Sequence, residues 1–321
     1  MNAKPKYTKR LWPYLAVPAL AVVVAATIFL GDFSSADSPA DEGAGGGDLP
    51  GSQISESELG TEIQPDPTEL HELAQDQLQA QLEAAIEEYL SGIDDENLYV
   101  SVAVEDEEFV LDYEGETLRD TASIVKTEIL AMLLLHYESV EAIPDWVISE
   151  AEAMIRESSN DATNSILFGI LDGHATLREA HETFGLAHTQ PDESERWGLT
   201  ETTALDQLDV LEQVLYEGLL SAEQAELCRD LMGDLADFQE WGVSAAAQEG
   251  ETVWMKNGWD IRSNLGGDWV VNSIGVIDGE SDEAISMSIL TGGSASEAEG
   301  IALVEDLARI MRDVIDTDPY A

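Results

Sequence analysis

Lysine is scarce in this chain, and where it persists it stands beside residues that could do chemistry with it. Three of the five lysines, Lys4, Lys6 and Lys9, precede an apolar N-terminal run, and only Lys126 and Lys256 follow it. An ammonium loses its proton when buried or set beside another cation, whereas a guanidinium does not. A lysine retained in so acidic a chain is therefore a candidate base. Lys126 closes the run Ser123-Ile124-Val125-Lys126. Residues three apart share a helix face, so this spacing sets an amine one turn from a hydroxyl, as a base beside a nucleophile. The unpaired N–H groups at a helix start suit an oxyanion. Lys256 lies in Trp254-Met255-Lys256-Asn257-Gly258-Trp259, where the glycine lets a ligand or a second backbone approach closely. Between them stands Ser158-Ser159-Asn160-Asp161, after a helix expected to end near Glu157. Each piece alone also has a plainer reading. These are a capping serine with a snorkelling lysine, a helix cap, and an edge lysine that blunts strand pairing.

The elements that must position these residues can be read from periodicity. Thr68 is placed to cap a helix with Leu70, Leu73, Leu78, Leu82, Ile86 and Leu90 along it, ended by Gly92. Leu98–Val104 and Glu108–Tyr113 read as strands joined by an acidic turn. An apolar helix is expected over Ser123–Tyr137, and further helices over Asp145–Met232, with a polar loop at His188–Gly198. Strand character returns at Glu251–Asn257, Asp268–Ile277 and Ala284–Thr291. A last amphipathic helix spans Ser296–Asp316, with Ile301, Val304, Ala308, Met311 and Ile315 as its stripe. This order predicts an α+β domain in which one antiparallel sheet, built from both ends of the domain, packs with helices.

In sequence order the three pieces resemble the signature of the penicillin-recognising serine hydrolases, the class A β-lactamases and their transpeptidase relatives. That signature is S-x-x-K at a core helix start, S-D-N or S-x-N on a loop and K-T-G on a strand. The resemblance covers Pro65–Ala321 and implies the β-lactamase/transpeptidase fold, with an all-helical subdomain beside the sheet. It implies that Ser123 is the acylated nucleophile and Lys126 its base, or one of two. Ser158 would relay a proton to the leaving nitrogen, and Asn160 would hold the substrate amide. Lys256 would supply positive potential near Ser158 and the substrate carboxylate. The backbone N–H groups of Ser123 and Trp259 would form the oxyanion hole, with Gly258 beside them and Trp259 lining the cleft. Asn257 and Arg262 join the substrate-binding set, Arg262 either meeting a carboxylate or making a surface ion pair.

The chain departs from the signature at Ser159, where Asp is usual, and at Asn257, where Thr or Ser is usual. Class A enzymes also carry a deacylating glutamate on a loop after the second motif. The corresponding loop, Leu186–Thr203, holds Asp192, Glu193, Glu195 and Glu201, none in the family's local pattern. Without such a base an acyl-enzyme forms and persists. The resemblance implies no cofactor and a small-molecule substrate, a β-lactam or a cell-wall peptide. A DD-peptidase or esterase of the same fold, or a catalytically silent penicillin-binding sensor, are the alternatives. A monomer is expected.

Composition bounds the remainder. With 66 acidic residues against 14 Lys plus Arg, the formal charge is −52, which argues against nucleic acid as a partner. The excess fits a solvated surface, and the scarcity of lysine fits adaptation to high salt. The single cysteine, Cys228, excludes an intrachain disulfide and reads as a small apolar helix residue. The histidines are not at metal-ligand spacing, and no metal is expected. Leu11–Leu30 is uncharged and long enough to span a bilayer, with basic residues before it and Asp32 after. This places the N-terminus in the cytoplasm and the domain outside. A signal anchor is favoured over a signal peptide cleaved near Ser34-Ser35-Ala36, after which the domain would be secreted. Residues 31–64, acidic and Gly-rich, read as a disordered linker ahead of the domain at 65–321.

Overall fold

The computed structural model describes residues 66–320 apart from Glu96, Glu195 and Glu217. The apolar run at Leu11–Leu30 and the linker at 31–64 lie outside the described residues. No helix among the described residues is long and apolar enough to cross a membrane.

The first helix, α1 (Pro67–Ser91), starts two residues earlier than the sequence suggested. Asp66 is its cap, accepting the Thr68 N–H at 3.0 Å, and Pro67 occupies the first turn with its backbone angle already helical. Its buried stripe is Ala74, Leu78, Leu82 and Ile86, while Leu70 and Leu73 stay exposed. Strands β1 (Tyr99–Glu105) and β2 (Val110–Tyr113) form a hairpin. After the helical block come β5 (Val253–Arg262), β6 (Asp268–Ile277), β7 (Ile285–Ser294) and the last helix α8 (Glu297–Ile315), capped by Ser296. The strand order is β2-β1-β7-β6-β5, antiparallel throughout. Pairing β1 with β7 joins the two ends of the domain in one sheet, as the element order predicted.

Strand alternation divides the core in two. Val100, Val102 and Val104 face α1 and α8, where Leu303, Leu307 and Met311 close one apolar layer. Ala103, Ile274, Val276 and Leu290 face the other way, onto the helical block. That block comprises α2 (Lys126–His136), α3 (Asp145–Arg156), α4 (Asn160–Gly169), α5 (His174–Phe184), α6 (Ala204–Leu215) and α7 (Ala222–Met232). Helix α2 is buried on nearly all sides, from Lys126 to Leu134. Cys228 is buried in α7 and free.

A second, two-stranded sheet had no signal in the sequence, because each strand is only two residues long. It pairs β3 (Arg119–Asp120) with β4 (Glu201–Thr202). Beside it the Thr121 N–H donates to the Thr200 carbonyl at 2.8 Å. The segment entering Ser123 is thus clamped to the far end of the loop at 186–203.

Candidate active site

Ser123 does not open an α-helix. It sits in a short 3-10 turn, Ala122–Val125, and α2 starts at Lys126 itself. Ala122, immediately before it, has φ of 47°. A residue with a Cβ adopts that region only when its surroundings impose it. Here they do: β3 and the Thr121–Thr200 bond fix the approach, and the Asn272 side chain on β6 donates to the carbonyls of Asp120 and Thr121 at 2.8 and 3.1 Å. Strand β5 closes from the other side. A Cβ built on Gly258 would lie 2.7 Å from the Ser123 nitrogen and 2.8 Å from that of Ile124. Only glycine admits this approach.

The expected Lys126–Ser123 hydrogen bond is absent, and this corrects the expectation from spacing. Lys126 Nζ instead meets the Ser158–Asn160 segment. It donates to the Ser158 carbonyl at 2.6 Å, to Ser158 Oγ at 3.1 Å and to Asn160 Oδ1 at 2.9 Å. Lys256 approaches the same hydroxyl from β5. Its Nζ lies 3.0 Å from Ser158 Oγ and also donates to the Asn257 carbonyl and Gln239 Oε1, at 2.7 and 3.4 Å. Both lysine side chains are fully buried. Burial holds the Lys126 pKa down at about 7. Burial, and then the charge of Lys126, hold that of Lys256 well below the ordinary lysine range.

The helix junction supplies the third piece. Helix α3 ends at Arg156, Ser158 takes φ of 54°, and Ser159 caps α4, accepting the Ala162 N–H at 3.2 Å. Serine and aspartate are both strong N-caps, so Ser159 in place of the usual Asp leaves this turn intact. Asn160 is exposed to the cleft, with its Oδ1 held by Lys126.

The cleft is open and about 970 Å³ in volume. Ser123, Asn160, Trp259 and Arg262 line it. Trp259 packs edge-on against Trp241, with ring centres 5.7 Å apart. Two residues of the expected substrate-binding set behave otherwise. Asn257 is fully buried and faces away from the cleft, since neighbours on a strand point to opposite faces and Lys256 takes the inner one. Its amide donates to the carbonyls of Gln239 and Trp241 at 2.8 and 3.1 Å, and its oxygen accepts from Ser273 at 2.7 Å. Arg262 reaches the cleft wall, but its guanidinium is already engaged. It donates to Asp120 at 2.7 Å, to the Gly198 carbonyl at 2.8 Å and to Asp260. It is an internal tie, not a free carboxylate receptor.

Two residues with a part in the site had no signal in the sequence. Gln239 meets Lys256 and, through its carbonyl, Asn257. Trp197 comes from the loop where a deacylating glutamate was sought. Its ring centre lies 5.0 Å from Lys126 Nζ, and its indole N–H donates to Asn164 at 3.0 Å. None of that loop's carboxylates bonds to Lys126 among the described residues. The loop is pinned by Asp206 on α6, which accepts the N–H groups of Ala187, His188 and Thr189 and the Thr189 hydroxyl, at 3.3, 3.0, 2.7 and 2.6 Å.

A family model described as the beta-lactamase enzyme family matches residues 149–315, more than half of the chain. The match takes in Ser158 and Lys256 and begins after Ser123 and Lys126. Solved structures share the fold over most of the chain. A class A beta-lactamase from Bacteroides cellulosilyticus aligns with a TM-score of 0.63 at 14% identity, covering 75% of this chain and 99% of that one. A mutant of PBP-A, an acyl-enzyme complex with penicillin G, aligns at 0.59 and 19%, covering 75% and 97%. A class A beta-lactamase from Mycobacterium abscessus aligns at 0.59 and 16%, covering 76% and 100%. No curated protein matches the chain.

Proposed function

The chain belongs to the beta-lactamase enzyme family, and from that membership we propose that it is a serine hydrolase forming an acyl-enzyme through Ser123, with β-lactams as its reactive substrates. One observation supports this above the others: two buried lysines converge on the Ser158 hydroxyl, at 3.1 and 3.0 Å, beside the turn that carries Ser123. A buried amine with a pKa near 7 is partly neutral at neutral pH and has a lone pair for a proton.

The steps follow from that arrangement. Substrate enters the cleft, its amide against Asn160. Ser123 Oγ attacks the lactam carbonyl and its proton passes to neutral Lys126. The oxyanion faces the N–H groups of Ser123 and Trp259; β5 is the sheet's edge strand, so every second amide points away from β6. Ser158 hands a proton to the lactam nitrogen as the C–N bond breaks, and is resupplied from Lys126. Lys256 keeps the hydroxyl oriented and, when protonated, adds positive potential for an anionic substrate. Hydrolysis of the ester then needs a water and a base.

A second reading, acylation without rapid turnover, has its own support. Trp197, not a carboxylate, stands beside Lys126. A mutant of PBP-A, which shares the fold, was captured as an acyl-enzyme with penicillin G. On this reading the protein is a penicillin-binding protein or DD-peptidase acting on cell-wall peptides.

Intact mass of the chain after mixing with penicillin G, beside Ser123→Ala, tests the proposal. An adduct of wild type alone is expected. Fast decay of the adduct indicates a lactamase and slow decay the second reading. A folded chain that takes no adduct refutes both. We further propose that Leu11–Leu30 anchors the domain outside the cytoplasm, supported by the uncharged run after a basic N-terminus. Protease added to intact cells removes the domain if this is right and spares it if not.

A further inference from the structure

The short turn Asp237–Gln239 stands beside β5 where Lys256 meets Ser158, the end at which the leaving group departs. It is clasped to one step of the strand. Gln239 Oε1 accepts from Lys256 Nζ at 3.4 Å, and the Gln239 carbonyl accepts from the Asn257 amide at 2.8 Å. The clasp fixes Phe238 in that turn, yet leaves it 59% exposed. Its ring stands edge-on to that of Trp259, with centres 6.4 Å apart, and Trp259 stands edge-on to Trp241 at 5.7 Å. Trp259 lines the cleft. Three aromatic rings thus form a ledge at the leaving-group end, and apolar surface held open at the rim of a site marks a contact for ligand.

The same end offers a carboxylate no unengaged cation. Lys256 is fully buried, and its amine is spent on Ser158 Oγ, Gln239 Oε1 and the Asn257 carbonyl. The Asn257 amide is spent on the carbonyls of Gln239 and Trp241. The two arginines of the cleft wall are each held by carboxylates, Arg196 by Asp192 and Arg262 by Asp120 and Asp260. Asp237 and Glu240, both exposed, flank Phe238 and Gln239 and repel a further negative charge.

We propose that this end of the cleft takes an aromatic, carboxylate-free leaving group, so that aryl esters are acyl donors to Ser123; this rests on Ser123 as the nucleophile. Ser123 Oγ attacks the ester carbonyl and its proton passes to Lys126. The C–O bond breaks, and the acyl group stays on Ser123. The departing phenolate, its ring against Phe238 and Trp259, takes a proton from Ser158 and leaves as the phenol. Ser158 is resupplied from Lys126. Attraction to the ledge and repulsion from Asp237 and Glu240 together discriminate against a leaving group that carries a carboxylate.

Three esters of phenylacetic acid test this: phenyl, 3-carbamoylphenyl and 3-carboxyphenyl. All leave the same acyl group on Ser123, so the rate at which the adduct mass appears reports the leaving-group end alone once each ester's spontaneous hydrolysis is allowed for. The phenyl and carbamoyl esters are expected to acylate the full chain at least about tenfold faster than the carboxy ester. Phe238→Ala changes an exposed side chain and is expected to slow the phenyl ester about tenfold with thermal unfolding unaltered. Asp237→Asn with Glu240→Gln is expected to narrow the gap between the phenyl and carboxy esters. A carboxy ester as fast as the phenyl ester, or an undiminished rate in Phe238→Ala, overturns the proposal. A chain acylated by penicillin G and by none of the esters overturns it and leaves Ser123 standing as the nucleophile; a folded chain acylated by nothing refutes both.

Discussion

The ring centre of Trp197 lies 5.0 Å from the Nζ of Lys126, covering the amine from the side of the 186–203 loop. An aromatic face favours the charged ammonium, whereas burial disfavours it, and the indole also keeps water from that side. Neither effect provides a base for water. Trp197→Glu places a carboxylate there and is expected to speed decay of the penicilloyl adduct about 100-fold, within the range of general-base catalysis. Adduct mass followed over time reads this directly. An unchanged decay in a folded variant means that position 197 is not where a hydrolytic water can be activated.

The pH dependence of acylation follows from the Lys126 pKa of about 7. Ser123 needs the neutral amine, so the acylation rate is expected to rise through about pH 7 and level off above it. Stability changes in the same sense. Unfolding returns the amine to its ordinary value of 10.5, so the unfolded chain binds more protons between about 7 and 10.5. The contribution of Lys126 to stability therefore rises with pH across that window. A pH–rate profile flat from about 6 to 9 contradicts Lys126 as the base.

Lys256→Met keeps the buried stem and removes the ammonium that orients Ser158. Acylation is expected to fall about 100-fold, with substrate affinity also reduced because the positive potential is lost. Rates of adduct formation against penicillin concentration separate the two effects. An undiminished rate removes Lys256 from the mechanism.

Gly258→Ala sets a methyl 2.7 Å from the Ser123 nitrogen, against backbone that has no room to give. Strand β5 must shift, and with it the second oxyanion donor. Loss of at least about 100-fold in acylation is expected, near the effect of removing one oxyanion-hole donor. The measurement is adduct formation by a variant whose circular dichroism is unchanged.

Asp206→Ala strips four hydrogen bonds from the start of the loop. Stability is expected to drop by about 3 kcal/mol, since bonds to a buried carboxylate are strong and their donors are left unpaired. Denaturant unfolding gives the loss. Limited proteolysis is expected to cut within 186–203 in the variant and not in the parent chain.

Sequence alone determined what depends on neighbours a few residues apart. Periodicity placed α1, the two blocks of strands and α8, and the order of strands required a sheet joining both ends of the domain. Two lysines surviving in an acidic chain singled out Ser123, Lys126 and Lys256, and the resemblance to a family signature added Ser158. The tertiary structure decided how those residues meet. Ser158 is 32 residues from Lys126 and 98 from Lys256, so their convergence depends on strand order and helix packing, which no local pattern encodes. Packing of α3 and α4 against α2 brought Ser158 and Asn160 to the Lys126 amine, which bonds to them and not to the nucleophile. Pleat parity turned Asn257 away from the cleft, because Lys256 took the face toward it. Two carboxylates from separate segments engaged Arg262. Trp197 reached Lys126 only because β4 and Asp206 fold the loop back over α2. Residue type limits the chemistry a side chain can do; which partner it meets is set by contacts between segments far apart in the chain.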